Sequence, residues 1–393
     1  MSAPWDVIVV GAGIHGAGVA QAAAAGGHRV LVLEQTGIGA GTSSRSSKLI
    51  HGGLRYLETY QLRLVRECLR ERAILLAIAP DLVRLQRFHV PIYGHTRRRP
   101  WLLRTGLSLY GVLAGLDRNT RWGQVPRARW NTLDGLDLNG LQHVFWYQDG
   151  QTDDLQLSRA VMRSAQALGA ELRIPVRMVG AMLTADGITV RCDTPRGTEE
   201  MHARVLINAG GPWADAVARR IAPAVPVPTV ERVQGSHIVL TGTIAQGIYY
   251  VESPRDGRAV FIMPWHGQTL VGTTEVRFQG DPADVAPTAS ELRYLQGIAR
   301  QYFPRFRAPE ADRIASSFAG LRVLPGGDGH TFHRSRETLL VADRERSPRV
   351  LSIYGGKLTS YRATAEQAMA RMAGSLPVRA LVARTREIRL TPD

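Results

Sequence analysis

Residues 7–10 (VIVV) are apolar without a break, the pattern of a short strand buried on both faces. Gly11, Gly13 and Gly16 follow at G-x-G-x-x-G spacing, and the alanine-rich stretch 17–25 predicts a closely packed helix. A second apolar strand is expected at 28–33 (HRVLVL), ended by Glu34. In this strand–turn–helix–strand order each glycine has a task. Gly11 makes the tight turn, Gly13 lets a pyrophosphate approach the backbone, and Gly16 lets helix pack on strand. The helix N-terminus offers unpaired N–H groups and a positive dipole end to phosphates. Glu34 stands where a carboxylate accepts from a ribose hydroxyl. The stretch reads as a dinucleotide-binding unit.

Periodicity then lapses over residues 37–58 (GIGAGTSSRSSKLIHGGLRYLE), which are rich in glycine and serine. A long small-residue loop beside a nucleotide site is often a binding loop, and its hydroxyls suit phosphates or a flavin ring. Residues 60–78 have apolar positions at helical spacing and end before Pro80. A strand is expected at 87–93. Residues 101–116 (WLLRTGLSLYGVLAGL) are nearly all apolar, follow Arg97-Arg98-Arg99, and are too short to span a bilayer. They favour a buried core helix, with an interfacial membrane helix as the alternative. A helix at 154–168 stops at Gly169, a strand follows at 171–176, and 178–193 have the pattern of a β-meander. The buried strand at 203–209 runs into N-A-G-G-P-W. Strand-like pieces dominate 226–275 and predict an antiparallel sheet, followed by a helix at 289–303. The end of the pattern, 351–362 (LSIYGGKLTSYR), is a strand, a Gly-Gly turn and a helix start that aims N–H groups at a ligand. The expected fold is α/β: a Rossmann-like dinucleotide-binding domain interleaved with an antiparallel-sheet domain.

Composition changes this picture little. The 393 residues allow one to three domains. Cys68 and Cys192 stand far apart, so neither a disulfide framework nor a metal site is indicated. The first strand begins within a few residues of Met1, which leaves no room for a signal peptide, and a cytoplasmic protein is expected. The net charge of +15 raises nucleic acid or an anionic membrane as partners. Lys occurs only at 48 and 357, however, so 47 of the 49 basic residues are arginine. They are dispersed along the chain, which points to codon bias and speaks against nucleic acid.

The run T-S-S-R-S-S-K-L-I-H-G-G-L-R-Y-L-E, with VGAGIHGAG, NAGGPW, QGSHIVL, VGTTE, AGLR and YGGKLTSYR, resembles the FAD-dependent glycerol-3-phosphate dehydrogenases. That family lies within the wider D-amino-acid-oxidase-like flavoproteins. The resemblance implies an FAD-binding domain made of 1–85, 145–225 and 315–393, and a substrate domain made of 86–144 and 226–314. It also implies a short form lacking most of the family's C-terminal helical domain. By the same resemblance Gly11, Gly13, Ile14, His15, Gly16 and Glu34 hold the ADP part of FAD. Thr42, Ser43, Ser47 and Leu49 lie along the pyrophosphate and flavin, and Val176 meets the adenine through its backbone. Ala209 and Gly210 line the site, while Gly356, Lys357, Leu358 and Thr359 face the flavin. Arg55, Tyr56, His237, Thr274, Arg322, Arg336 and Lys357 resemble the residues around the substrate. His15 replaces an expected Asn, Glu275 an expected Asp, and Val323 an expected Pro.

The implied reaction converts sn-glycerol 3-phosphate to dihydroxyacetone phosphate by hydride transfer to the flavin, with electrons passing to a quinone or oxygen. Arginine suits a phosphate because its planar fork binds two oxygens at once. His237 is the candidate for the hydroxyl proton, with Arg322 as the competing polar group and Lys357 as the cation facing charge on the flavin. An amino-acid or 2-hydroxy-acid oxidase is the alternative, since carboxylates are held by the same kind of arginine. The segment 97–116 and the net charge add an expectation of peripheral attachment to the inner face of the cell membrane.

Overall fold

Strand Trp5–Val10 lies inside the first of two sheets, paired in parallel with Val30–Leu33 on one side and Gly197–Asn208 on the other. Its side chains alternate between two cores. Val7 and Val9 pack against helices Ile14–Ala25, Asp154–Ala167 and Tyr361–Met372. Ile8 and Val10 pack with the meander Arg177–Leu183, Ile188–Thr194 and the start of Gly197–Asn208. Both faces are covered, which is why the run tolerates no polar position. The computed structural model of the protein describes residues 5–326 and 338–392. In the parallel part of the sheet the order is Glu171–Arg173, Val30–Leu33, Trp5–Val10, Gly197–Asn208, Val350–Tyr354. The register sets Val10 level with Leu33 and Asn208, so these strands end along one carboxyl edge.

The strands expected at 226–275 join Val83–Tyr93 and Leu141–Thr152 in a second, ten-stranded sheet. Its pairings are antiparallel except that of Ile248–Glu252 with Val83–Tyr93. Helix Ala289–Tyr302, begun by a Thr288/Glu291 capping box, covers one face. Helices Leu62–Ile78 and Pro100–Leu113 cover the other. Two strands cross the expected domain limits: Leu141–Thr152 spans 144/145 and Ile314–Pro325 spans 314/315, both within the second sheet. Cys68 and Cys192 are buried thiols in separate cores.

The apolar stretch 101–116 differs from its core-helix expectation. Helix Pro100–Leu113 buries Leu103, Leu107 and Tyr110, while Trp101 and Val112 are 67% and 60% exposed. Apolar residues occupy both sides of the helix, and only the set at helical spacing meets a core. No helix among the described residues is long and apolar enough to cross a membrane.

Candidate active site

A cavity of 860 Å³ follows the carboxyl edge of the first sheet and continues beneath the second. Such an edge is where open α/β sheets hold ligands. The first part of its wall is backbone. Gly11 has φ +98° and donates its N–H to the Leu33 carbonyl at 2.8 Å. A Cβ there would lie 2.7 Å from the Ala209 oxygen. Gly16 is packed against that turn, where a Cβ would lie 1.8 Å from the Gly11 oxygen. Gly16 is therefore absent from the cavity wall, and its task is packing rather than ligand contact. Gly13 opens helix Ile14–Ala25, and the Ile14 N–H donates to Ser43 Oγ at 2.9 Å.

Glu34 ends the second strand facing the cavity, as expected. Its Oε2 accepts from the Ala12 N–H at 2.8 Å, and its Oε1 from the Thr36 N–H and hydroxyl at 2.8 and 3.0 Å. The carboxylate is thus fixed by the protein's own backbone and the Thr36 hydroxyl. Val176 lines the same part, with its N–H committed to the Glu34 carbonyl at 2.7 Å. Ala209 and Gly210 border the turn, their N–H groups donating to the Val10 carbonyl and Asn208 Oδ1.

The loop after residue 41 forms the middle. The Thr42 hydroxyl donates to the Leu321 carbonyl at 2.9 Å, and Leu49 pairs with Gln151. Beneath the loop the Lys48 ammonium donates to Asp154 Oδ1 and to the Ser44 carbonyl, each at 2.6 Å. The Ser46 N–H donates to Asp154 Oδ2 at 2.9 Å. Burial pushes the Asp154 carboxyl upward, and Lys48 and Ser46 pull against it. Sequence reasoning missed this pair. The signal was there: one of only two lysines sits in the loop. Asp154, however, reads from sequence as an ordinary residue at a helix start.

At the far end side chains converge. His237 Nε2 and Ser47 Oγ are 3.0 Å apart, and the His237 ring stacks on Phe318 at 4.8 Å. Burial, then the charges of Arg322 and Lys48, lower the His237 pKa to about 3. The ring is a neutral imidazole at neutral pH. Arg322 donates to Glu275 Oε1 at 2.9 Å and Thr273 Oγ1 at 3.1 Å. Tyr56 is buried at the wall, with the Lys357 ammonium 4.5 Å from its ring centroid. Gly356, Leu358 and Thr359 continue the wall, and the His51 N–H donates to Thr359 Oγ1 at 3.2 Å. Residues 356–359 precede helix Tyr361–Met372 rather than forming its first turn. His51 is a further imidazole on the wall that sequence reasoning passed over, within what read as a small-residue binding loop.

Thr274 departs from expectation. Its hydroxyl donates to Glu291 Oε1 at 2.5 Å and accepts from the Ser236 N–H at 2.8 Å. Its neighbours Thr273 and Glu275 line the cavity instead. Side chains alternate along extended chain, so one residue of register moves the role to its neighbours. Arg336 and the side chain of Arg55 lie outside the described residues.

These features fit an extended dinucleotide. A glycine turn at a helix N-terminus leaves room for phosphates, a carboxylate held by backbone N–H groups faces the same space, and Lys357 supplies a cation at the opposite end. His15, half-buried on the wall, keeps an unpartnered ring nitrogen, Nδ1, and burial lowers its pKa to about 4.

Known proteins agree. A glycerol-3-phosphate dehydrogenase of Pseudomonas aeruginosa is 37% identical over 382 residues, covering 94% of this chain and 71% of the relative. A D-erythritol 1-phosphate dehydrogenase of Brucella abortus is 35% identical over 378 residues, covering 95% and 74%. The FAD-complexed glycerol-3-phosphate dehydrogenase of Bacillus halodurans superposes with a TM-score of 0.73 at 25% identity, covering 99% of this chain and 68% of that one. Residues 6–362 match the family model DAO, FAD dependent oxidoreductase, and the chain belongs to that family.

Proposed function

We propose that this chain oxidises sn-glycerol 3-phosphate to dihydroxyacetone phosphate, using FAD and passing the electrons to a quinone or oxygen. Similarity to glycerol-3-phosphate dehydrogenases along nearly the whole chain carries this reading. Bound FAD supplies the acceptor for the hydride that leaves the carbinol carbon. The chain's residues supply the rest. Arg322, braced by Glu275 and Thr273, is the planar cation for the phosphate, together with Arg55 and Arg336. His237 accepts the hydroxyl proton, and Ser47 fixes its ring. Lys357 offsets negative charge at the flavin edge. In this reading residues 1–85, 145–225 and 315–393 form the cofactor domain, apart from the stretches of strands Leu141–Thr152 and Ile314–Pro325 that belong to the second sheet, and 86–144 with 226–314 cover the substrate.

The test is anaerobic mixing of the flavoprotein with a set of substrates, read by flavin absorbance. Bleaching by sn-glycerol 3-phosphate and little by glycerol is expected. The Brucella abortus relative makes D-erythritol 1-phosphate the informative competitor. Bleaching only by an amino acid or 2-hydroxy acid overturns the reading.

The exposed face of helix Pro100–Leu113, beside the exposed Arg97 and Arg99, fits the surface of an anionic membrane. Binding to anionic vesicles at low salt, released at high salt, is expected. No binding at low salt removes this part.

A further inference from the structure

Beneath the H-G-G-L-R-Y segment lies a buried carboxylate that the proposed chemistry does not use. Asp149, on strand Leu141–Thr152, is 1% exposed. Its Oδ1 accepts from Arg72 Nη1 at 2.6 Å, and its Oδ2 from the Tyr110 hydroxyl at 2.9 Å. The Gly52 N–H donates to the two oxygens at 3.2 and 3.3 Å. Each partner comes from a different element. Arg72 belongs to helix Leu62–Ile78, Tyr110 to the surface helix Pro100–Leu113, and Gly52 to the binding loop.

The junction is tight. A Cβ on Gly52 would lie 2.3 Å from the Tyr110 hydroxyl and 2.5 Å from Leu69, so the backbone must pass bare. Burial opposes the Arg72 charge, yet Asp149 beside it carries the pKa upward. Burial and then Asp149 raise the Tyr110 hydroxyl well above its usual range, which keeps it a donor. Gly52 leads directly into the short helix Leu54–Thr59, which carries Tyr56. The Tyr56 N–H donates to the Gly53 carbonyl at 2.8 Å, and the Tyr56 ring holds the Lys357 ammonium. One point on the Gly52 backbone therefore sets where this wall of the cavity stands.

We infer that Asp149 is a positioning residue for substrate binding. It holds the segment carrying Arg55 and Tyr56 through the Gly52 N–H, and Tyr110 makes the surface helix part of that support. This rests on the reading that the Tyr56–His237–Arg322 end receives the substrate. Among the described residues the nucleotide end shares no partner with Asp149: Gly11 is fixed by Leu33, and Glu34 by Ala12 and Thr36. Losing the hold loosens substrate before cofactor.

The experiment uses the full chain with FAD bound. Tyr110→Phe removes one hydroxyl and keeps the ring, and Asp149→Asn keeps the shape and removes the charge. Tyr302→Phe is the structural control, because that buried hydroxyl donates to the Glu252 carbonyl at 2.5 Å in another core. Flavin content, thermal unfolding and steady-state kinetics are measured for all. The expected result is unchanged flavin content, a KM raised about 3- to 10-fold in Tyr110→Phe and further in Asp149→Asn, and kcat held within about twofold. Tyr302→Phe should lower thermal stability and leave KM alone. Unchanged KM in both Tyr110→Phe and Asp149→Asn, or an equal rise in the control, overturns the inference. Failure of sn-glycerol 3-phosphate to reduce the wild-type flavin overturns the functional reading instead. The KM shift is then measured on whichever compound of the substrate set does reduce it.

Discussion

The two ends of the cavity are built from different materials. The nucleotide end is mostly backbone, set by a turn, a helix start and one carboxylate within residues 11–34. The substrate end is mostly side chains, and Ser47, Tyr56, His237, Glu275, Arg322 and Lys357 reach it from far-separated segments. Backbone placed by local geometry needs little beyond the right glycines. Side chains placed by tertiary structure need their own supports, which is why buried ion pairs and networks lie beneath that end. Lys48–Asp154 and Arg72–Asp149 are both of this kind.

The largest effect is expected where that support is electrical. Lys48→Met leaves the Asp154 carboxylate buried without its cation, at a cost of about 3–5 kcal/mol in unfolding free energy. Urea unfolding measures it. Adding Asp154→Leu should recover most of the loss, because an apolar pair no longer strands a charge. A single-variant loss under about 1 kcal/mol would mean that backbone holds the loop, as at the other end.

A smaller effect separates the two ends directly. Arg322→Ala should lower kcat/KM about 10- to 150-fold, through loss of a charge-assisted contact of about 1.5–3 kcal/mol, with FAD content unchanged. Gly16→Ala should do the reverse. It forces a methyl group onto the Gly11 carbonyl, lowers FAD occupancy, and destabilises by about 1–3 kcal/mol. Flavin-to-protein ratio and kinetics on the remaining holoenzyme distinguish them. If Arg322→Ala also sheds FAD, the two ends are not separate.

The same difference explains what the sequence made legible. The nucleotide end could be read from residues alone, because spacing, periodicity and the terminal acid lie within one βαβ unit. The second sheet was legible as strands and turns. The substrate end was legible only by resemblance, since no local rule joins residue 47 to 237 or 322. Thr274 shows the limit: the motif was in place, and its hydroxyl turned to Glu291 while Thr273 and Glu275 took the wall. Asp149 shows it again, since a buried carboxylate inside a strand carries no local signature. Helix Pro100–Leu113 misled because composition does not tell which apolar residues find a partner.

A pH experiment bears on the point where the ends meet. The His15 pKa lies near 4 in the folded protein, below the ordinary 6.5. Above pH 6.5 the ring is neutral in both states. Between 6.5 and 4 the unfolded chain takes up a proton that the folded protein refuses, so stability falls as pH falls. His15→Asn removes that contribution. The difference between variant and wild type in urea unfolding should shift by about 1–2 kcal/mol from pH 7.5 to pH 4.5, in the variant's favour. No shift would place the His15 ring in contact with water.

The smallest effect concerns Ser47 and the ring it fixes. Ser47 Oγ and His237 Nε2 are 3.0 Å apart, within hydrogen-bond reach of each other. Ser47→Ala removes a hydrogen bond with a net worth of about 0.5–1.5 kcal/mol, so kcat/KM should fall about 2- to 10-fold. Burial and the charges of Arg322 and Lys48, which hold the His237 pKa near 3, remain in the variant. The variant should therefore lose rate evenly between pH 6 and pH 9, with no new acid limb. Steady-state kcat/KM across that range, on enzyme matched for flavin content, is the measurement. An acid limb near pH 6.5 in wild type and variant alike would show that the ring titrates as it does in water. The charges of Arg322 and Lys48 would then not govern it. The substrate end would prove as locally determined as the nucleotide end, and the contrast between them would fail at its most sensitive residue.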